Sequence, residues 1–503
     1  MSSTEMLETE RKYEAEVDAV LPGLAGLPGV AAESGLEEIQ LEAEYYDTED
    51  LRLLGAGITL RRRRGGSDEG WHLKLPAGRD TRQELHRPLG RSRVVPAEFA
   101  RLVRVHARTA RLGPVARIAT VRRQRVLVDE AGTSLAEVAD DTVSAQSLGE
   151  VTTLSQWREI EVELTGGGRG LLKAADSQLR DAGLRAPGYG SKLQRALAGR
   201  QPAAPPRPPA DGRAGEVVLA YLAGHAAALK AQDPQVRRDA PDSVHQMRVA
   251  SRRLRSALQT FRTVLPPAGT EHLRGELKWL GEVLGAARDA EVLGGHVHDL
   301  LERVPPELVL GPVAADVTGQ FAPRRGAAHR AAVRALDSPR YLALLDELDA
   351  LIAAPPAVAA AAGPSRSLRA DVARAHRRLR KRARRASGLA GGPERDAALH
   401  EMRKAAKRAR YAADALAPSA GQPARRFAAR MKHLQTVLGD HHDTVVARVA
   451  IRDLGVHAHL AGDNAFTYGL LYQLDAGRAG ELSDEAGQAW RKARRKKYRR
   501  WLA

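Results

Sequence analysis

Two different segments of the C-terminal half recur at nearly one spacing, and this repeat limits the fold more than any other feature of the chain. The run HQMRVASRRLR, from His245, is echoed by HEMRKAAKRAR, from His400, 155 residues later. The element Lys278-Trp-Leu with Val283-Leu-Gly285 reappears 154 residues later as Lys432-His-Leu with Val437-Leu-Gly439, and Arg288-Asp289 corresponds to His442-Asp443. Both segments carry helical periodicity. Two homologous helical bundles packed as pseudo-symmetric halves are therefore expected.

The first segment has a polar logic of its own. At roughly 100° of rotation per residue, His245, Arg248, Arg252 and Arg255 share an arc of about 80°, and Met247, Ala250, Leu254, Leu258 and Phe261 lie opposite. The second copy presents His400, Arg403, Lys407 and Arg410 in the same way, with Lys404 and Ala409 at positions where the first copy is apolar. Like charges at this spacing repel by a few tenths of a kcal/mol per pair. A stripe built twice with few acidic neighbours makes sense if a polyanion neutralises it, and arginine's forked donors match phosphate oxygens. A solvated charged face is the alternative. Asp289 and Asp443 have a simpler role available, bracing a neighbouring Arg or His. Arg253 and Arg408 turn about 80° off the stripe. The final run RKARRKKYRRW is basic all round and reads as a solvated tail.

The stretch GRQPAAPPRPPADGR, from Gly199 to Arg213, reads as a semi-rigid linker. It separates a domain over 1–200 from a helical one over 214–503, with halves of about 214–350 and 365–503 and the linker itself at 201–213. Before it, ETERKYEAEV, AGITLRRRR, WHLKLP, RIATVRRQRVLVD and WREIEVEL read as strands. Alternation puts Glu8, Glu10 and Lys12 on one strand face. It does the same for Arg61 and Arg63, His72 and Lys74, Arg82 and Glu84, and Glu159, Glu161 and Glu163. Ile58, Leu60, Ile160, Val162 and Leu164 take the other faces. A closed antiparallel barrel with a charged lumen satisfies both sides. Clustered carboxylates call for a hard cation, clustered Arg and Lys for a multiply charged anion, and a metal-bridged triphosphate for both. A sheet with exposed salt-bridge ladders is the simpler alternative.

Composition narrows the partners. The 503 residues carry a formal net charge of +18 and no cysteine. Disulfides and thiolate metal sites are excluded, so a metal must sit on oxygen or imidazole, which favours Mg²⁺ or Mn²⁺. The positive field attracts polyanions. Aromatic residues are only 4% of the chain, which argues against a base-stacking single-strand binder, and no zinc-finger or dinucleotide motif points to a specific nucleic acid. No apolar run approaches the ~20 residues that span a bilayer. The charged start has no apolar signal region, so a cytoplasmic protein is expected, with polyphosphate granules as a candidate location; oligomeric state stays open.

The motifs VHQMRVASRRLRSAL, LGAARDAEVL and LHEMRKAAKRARYAADAL resemble the CHAD (conserved histidine α-helical) domain. That resemblance implies two four-helix bundles around a basic channel that binds inorganic polyphosphate. Carried over by position, the ligands are His245, Arg248, Arg252, Arg255, His400, Arg403, Lys407 and Arg410, with Arg253, Arg408, Lys278, Arg288 and Lys432 as additions. Over about 7–200, the ordered set ETERK at Glu8, YYDT at Tyr45, LRRR at Leu60, WHLKLP at Trp71, RQE at Arg82, EIEVE at Glu159 and YGSK ending at Lys192 resembles the CYTH, or triphosphate tunnel metalloenzyme, family. It implies an eight-stranded tunnel holding a triphosphate and one or two divalent metals. Glu8, Glu10, Glu159, Glu161 and Glu163 match metal-ligand positions; Lys12, Arg61, Arg63, Lys74, Arg123 and Lys192 match phosphate-binding positions; Glu84 joins the catalytic set. The whole is thus an α+β chain, and its expected chemistry is metal-dependent triphosphate hydrolysis beside polyphosphate binding. A non-catalytic polyphosphate binder and an adenylate cyclase are the alternatives.

Overall fold

The computed structural model describes residues 4–78, 81–90, 92–200 and 212–502. The chain splits into two compact units, Met1–Pro205 and Pro206–Ala503. Most of the expected linker, 201–211, lies outside the described residues.

The first unit is built on nine strands: β1 (Thr4–Ala15), β2 (Ala32–Glu33), β3 (Glu37–Asp47), β4 (Thr59–Arg64), β5 (Gly70–Pro76), β6 (Thr81–Pro88), β7 (Gly113–Val128), β8 (Ser134–Ser147) and β9 (Leu154–Leu164). They pair in the order β2-β7-β3-β4-β5-β6-β1-β9-β8, and β8 also pairs with β7, so eight strands close an antiparallel barrel with β2 as an outer flap. Closure removes the open edges that a charged sheet would otherwise expose. The apolar residues that alternate with the charged ones face outward and are covered. Tyr13, Val138, Ile160 and Val162 pack with Leu171, Leu172, Ala175 and Leu179 of α1 (Arg169–Asp181). Leu60, Trp71, Leu73 and Leu75 pack with Phe99 and Leu102. Hydrophobic burial on the outside of the barrel thus forces the charged alternation inward. The short helix α2 (Lys192–Ala196) follows, its cap made by Ser191, whose hydroxyl accepts from the Gln194 N–H.

The second unit is helical. Its first half is α3 (Ala214–Arg237), α4 (Ser243–Thr260), α5 (Glu271–Leu301) and α6 (Val313–Leu336), followed by α7 (Pro339–Ala353). Its second half begins with α8 (Arg369–Ser387). The segment Gly392–Leu460 then runs as two helices broken at Gly421, whose φ of 65° and ψ of −145° suit glycine alone. We number them α9 (392–420) and α10 (422–460); α11 (Phe466–Ala493) completes the bundle, followed by α12 (Lys496–Arg499). The helices α3 and α8 start 155 residues apart, the same offset as the sequence repeat. The two halves share a core at one end, where Val297 and Leu300 of α5 and Val317 and Phe321 of α6 meet Ala447 and Ile451 of α10 and Leu471 of α11.

Two expectations are corrected here. The C-terminal basic run is not a free tail: α12 and a following turn dock Trp501, whose ring stands 6.0 Å from Phe427 and whose indole N–H donates to the Tyr498 carbonyl. In the second copy, Lys404 is solvent-facing and paired with Glu401, and Ala409 is fully buried, so the apolar face is continuous after all.

Candidate functional site

The barrel encloses a cavity of about 950 Å³ lined by Glu8, Glu10, Lys12, Arg61, Arg63, Lys74, Arg82, Glu84, Glu161, Glu163 and Lys192, together with Tyr45, Arg122 and Glu137. Strand register explains the convergence: Glu10 stands opposite Glu163, Lys12 opposite Glu161, and Lys74 opposite Glu84.

The charges sort into two groups. In one, cations and carboxylates are closely balanced. Lys192 donates to Asp141 (2.8 Å), Glu159 (2.7 Å) and Glu161 (2.8 Å). Arg122 makes a two-pronged contact with Asp141 (2.8 and 2.7 Å) and a third bond to Glu161 (2.8 Å). Lys12 bonds Glu161 and reaches Glu10 at 3.3 Å. Burial works against the charged form of Glu161, but Lys12, Lys192 and Arg122 more than reverse it and hold the carboxylate well below its usual range. Asp141, Glu159 and Glu161 bring ligand atoms within 4.8 Å of one another and could hold a metal ion, in competition with the Lys192 ammonium. Glu159 does not line the cavity; it is buried behind it, accepting the Trp157 indole N–H at 2.6 Å.

In the other group, carboxylates outnumber cations. Glu8, Glu10 and Glu163 have Lys74, which donates to both oxygens of Glu8 (2.8 and 2.6 Å) and lies 3.6 Å from Glu84. Burial, and then the Glu8 charge, push Glu163 up to about 7. Burial and the neighbouring Glu84 likewise raise Glu8. An oxygen-only set short of positive charge is what a hard divalent cation fits. Glu84 is held from behind by His72, whose Nδ1 lies 2.7 Å from it. His72 Nε2 lies 2.9 Å from the Asp68 carbonyl, so the ring is held between Asp68 and Glu84.

On the opposite wall the imbalance reverses. Burial, then Arg61 and Arg122, push Arg63 down to about 9, even though it bridges to Asp68. Tyr45 is buried against Arg61; burial alone would raise its phenol, but the charge and hydrogen bond of Arg61 together with the Lys192 and Lys74 charges outweigh this and lower it.

One register assignment is corrected. Arg123 does not enter the lumen; its side chain is 59% exposed and pairs with Glu38 at 3.2 Å outside. Strand side chains alternate, so a one-residue slip exchanges the faces. Arg122, opposite Asp141, is the inward residue.

The helical unit brings the two stripes together. Arg248 bonds Asp289 at 2.9 Å, and Arg403 approaches Asp443 at 3.8 Å in the equivalent place. Arg252 donates to the Tyr411 hydroxyl at 3.1 Å. Arg253 lies 4.9 Å from the Tyr411 ring, and Asp414 receives Arg253 (3.4 Å) and Arg410 (3.5 Å) from the two copies. Burial, then Arg252, Arg403 and Arg248, push Lys407 down to about 6, and among the described residues no carboxylate pairs with it. Burial also lowers Arg255, with Arg252 its main repelling neighbour. Burial lowers Arg408 as well, and Arg378, Arg255, Arg262 and Arg274 add to the effect. His400 stacks on His442 at 4.1 Å with a buried Nδ1 lacking a partner, whereas His245 has Arg288 as its repelling neighbour. Of the additional candidates, Lys278 is exposed beside Glu282, Arg288 is tied to Glu291, and Lys432 lies near Asp414. Arg122, Tyr411 and Asp414 were not singled out from the sequence, and Tyr45 entered only as part of the YYDT motif. Arg122 and Asp141 sit in long β-forming runs, where pairing alone fixes which side faces inward.

Comparison with known proteins matches residues 6–196 to the CYTH domain and 220–452 to the CHAD domain. The Mycobacterium tuberculosis proteins Rv2226 (strain H37Rv) and MT2285 (strain CDC 1551) are each 39% identical over 507 residues, spanning 97% of this chain and 96% of theirs. Among solved structures, PptA from Streptomyces chartreusis (22% identity, TM-score 0.46) covers 56% of this chain and 100% of its own. The CHAD domain from the plant Ricinus communis (28% identity, TM-score 0.40) covers 60% of this chain and 97% of its own.

Proposed function

The chain belongs to the family of proteins that join a CYTH domain to a CHAD domain, and from that premise we propose that it hydrolyses a terminal phosphoanhydride of a triphosphate in its barrel and binds inorganic polyphosphate on its helical unit. The observation that carries the reading is the paired imbalance inside the barrel. The Glu8, Glu10 and Glu163 carboxylates outnumber the Lys74 and Lys12 ammoniums within reach, and burial and like charge push Glu163 up, while burial, Arg61 and Arg122 push Arg63 down although Asp68 bridges to it. A metal-bridged triphosphate corrects both at once.

Mg²⁺ or Mn²⁺, held by Glu8, Glu10, Glu161 and Glu163, would neutralise phosphate oxygens and the charge that develops on them. The chain's own cations do the positioning. Arg61, Arg63, Lys74 and Arg122 hold the phosphate oxygens, and a lumen carboxylate orients the attacking water and accepts its proton. In the helical unit, Lys407 and Arg403 gain most from a polyanion, because they are crowded by like charge.

Phosphate release from tripolyphosphate, nucleoside triphosphates and long polyphosphate, with and without Mg²⁺ or Mn²⁺, tests the reading. Turnover is expected only with metal. Glu8→Gln together with Glu10→Gln is expected to abolish it and leave polyphosphate binding intact. Metal-dependent release that survives in that variant would defeat the site assignment, and cyclic AMP formed from ATP without phosphate release would make the barrel a cyclase.

A further inference from the structure

We infer that two copies of this chain associate about a two-fold axis through the exposed face of α10, residues 446–460. This surface belongs to the helical unit and includes neither of the two cationic stripes. The inward side of this helix carries Ala447, Ile451, Leu454 and Ala458, packed with α5, α6 and α11. The opposite side of a surface helix ordinarily carries charge. Here it holds Val449, Val456 and Leu460, which are 53%, 50% and 76% exposed, with Val446 also exposed. At about 100° per residue these four fall within roughly 80° of arc, diametrically away from the core residues. The equivalent positions of the first half, 154 residues earlier, include Gly295 and Glu302. The apolar line is therefore no requirement of the bundle that both halves share.

The occupant follows from the order of residues along the line. Val449 and Val456 stand three residues to either side of the Arg452–Asp453 pair, and Val446 and Leu460 stand six and seven. The face therefore reads alike from both ends. Antiparallel pairing of two α10 helices sets Val449 against Val456 of the second copy, Val446 against Leu460, and Arg452 against Asp453. Such a patch is complementary to itself, as a closed two-fold contact requires. Within one copy, the only salt bridge of either charge among the described residues joins these two neighbours to each other, at 2.8 Å.

Residues 446–460 extend about 21 Å. A helix pair of that length buries on the order of 300 Å² per copy, well under the ~800 Å² per partner of a standard interface. The dimer is accordingly weak and concentration-dependent.

Sedimentation velocity of the full chain over roughly 5–500 µM tests this. The mass is expected to rise from 54.3 kDa towards twice that value. Leu460→Glu and Val456→Glu should each hold the protein monomeric. Arg452→Glu or Asp453→Arg alone should weaken association about tenfold by opposing like charges, and the two together should restore it. Arg452, Val456 and Leu460 are exposed and Asp453 is half-buried, so nearly unchanged circular dichroism melting is the accompanying expectation. A wild-type protein that stays monomeric throughout would overturn the inference, and so would a dimer indifferent to Leu460→Glu. Binding of the monomer to anionic vesicles through Leu460, without self-association, would overturn it equally.

Discussion

Arg403 lies across Gly439, with its guanidinium where a Cβ on that glycine would stand 3.2 Å from Nη2; Arg248 lies across Gly285 in the same way, at 3.4 Å. The repeated glycine lets a half-buried arginine lie against the neighbouring helix and face the stripe.

Gly439→Ala therefore separates stability from binding. Alanine is favoured over glycine inside a helix by about 1 kcal/mol, so thermal stability should hold or rise, while displacement of Arg403 lowers polyphosphate affinity by about three- to tenfold. Gly285→Ala should act in the same direction, less strongly. Calorimetric titration beside a melting curve reads both, and undiminished affinity in Gly439→Ala would show that the arginine's pose is unimportant.

Lys407 sets a pH dependence. Burial and the facing arginines push its ammonium down to about 6 from 10.5. The unfolded chain keeps the proton throughout that window and the free folded protein does not. The destabilisation from this group is absent above 10.5, grows as pH falls through the window, and is complete below 6. A bound polyanion restores the charge. Affinity should therefore fall as pH rises above 6, by up to about tenfold per unit, with uptake of nearly one proton at pH 7.5. Titrations in buffers of different ionisation enthalpy measure that uptake. Lys407→Arg should abolish it, and no uptake by the wild type would refute the assignment.

Lys192→Met would strip the ammonium from three buried carboxylates. A loss of about 3 kcal/mol is expected, and Mn²⁺ should restore part of it by taking the vacated position. Denaturant unfolding with and without Mn²⁺ checks this. Unchanged stability would mean that Arg122 and Lys12 suffice for that cluster.

Arg122 and Arg123 form an internal control. Arg123→Ala should change stability by no more than about 0.5 kcal/mol and leave turnover unaltered, while Arg122→Ala should lower both. Equal effects would place the β7 register in error.

Much of this architecture is legible in one sequence because it depends on period. A two-residue alternation of charge with Leu60, Ile160 and Val162 marks sheet with one apolar and one charged face, and closing that sheet satisfies both. A cationic stripe recurring after 155 residues can only be a duplicated helix. Partner choice is not periodic. Nothing in the run RIATVRRQRV says that Arg122 rather than Arg123 points inward; that follows from Asp141 standing opposite on β8, a strand whose own sequence alternates weakly. Tyr411 and Asp414 look like ordinary helix residues until α4 and α9 meet, when both receive arginines from the first copy.

The sequence by itself determined the two-domain order, the barrel and bundle classes and most of the inventory of charged residues, because local periodicity and a repeat are properties of the chain read in one dimension. Tertiary structure decided which charges compensate one another. Lys192 settles among three carboxylates while Glu163 and Lys407 are left crowded by like charge, and that division depends on distances of a few ångströms across strands and helices far apart in the chain.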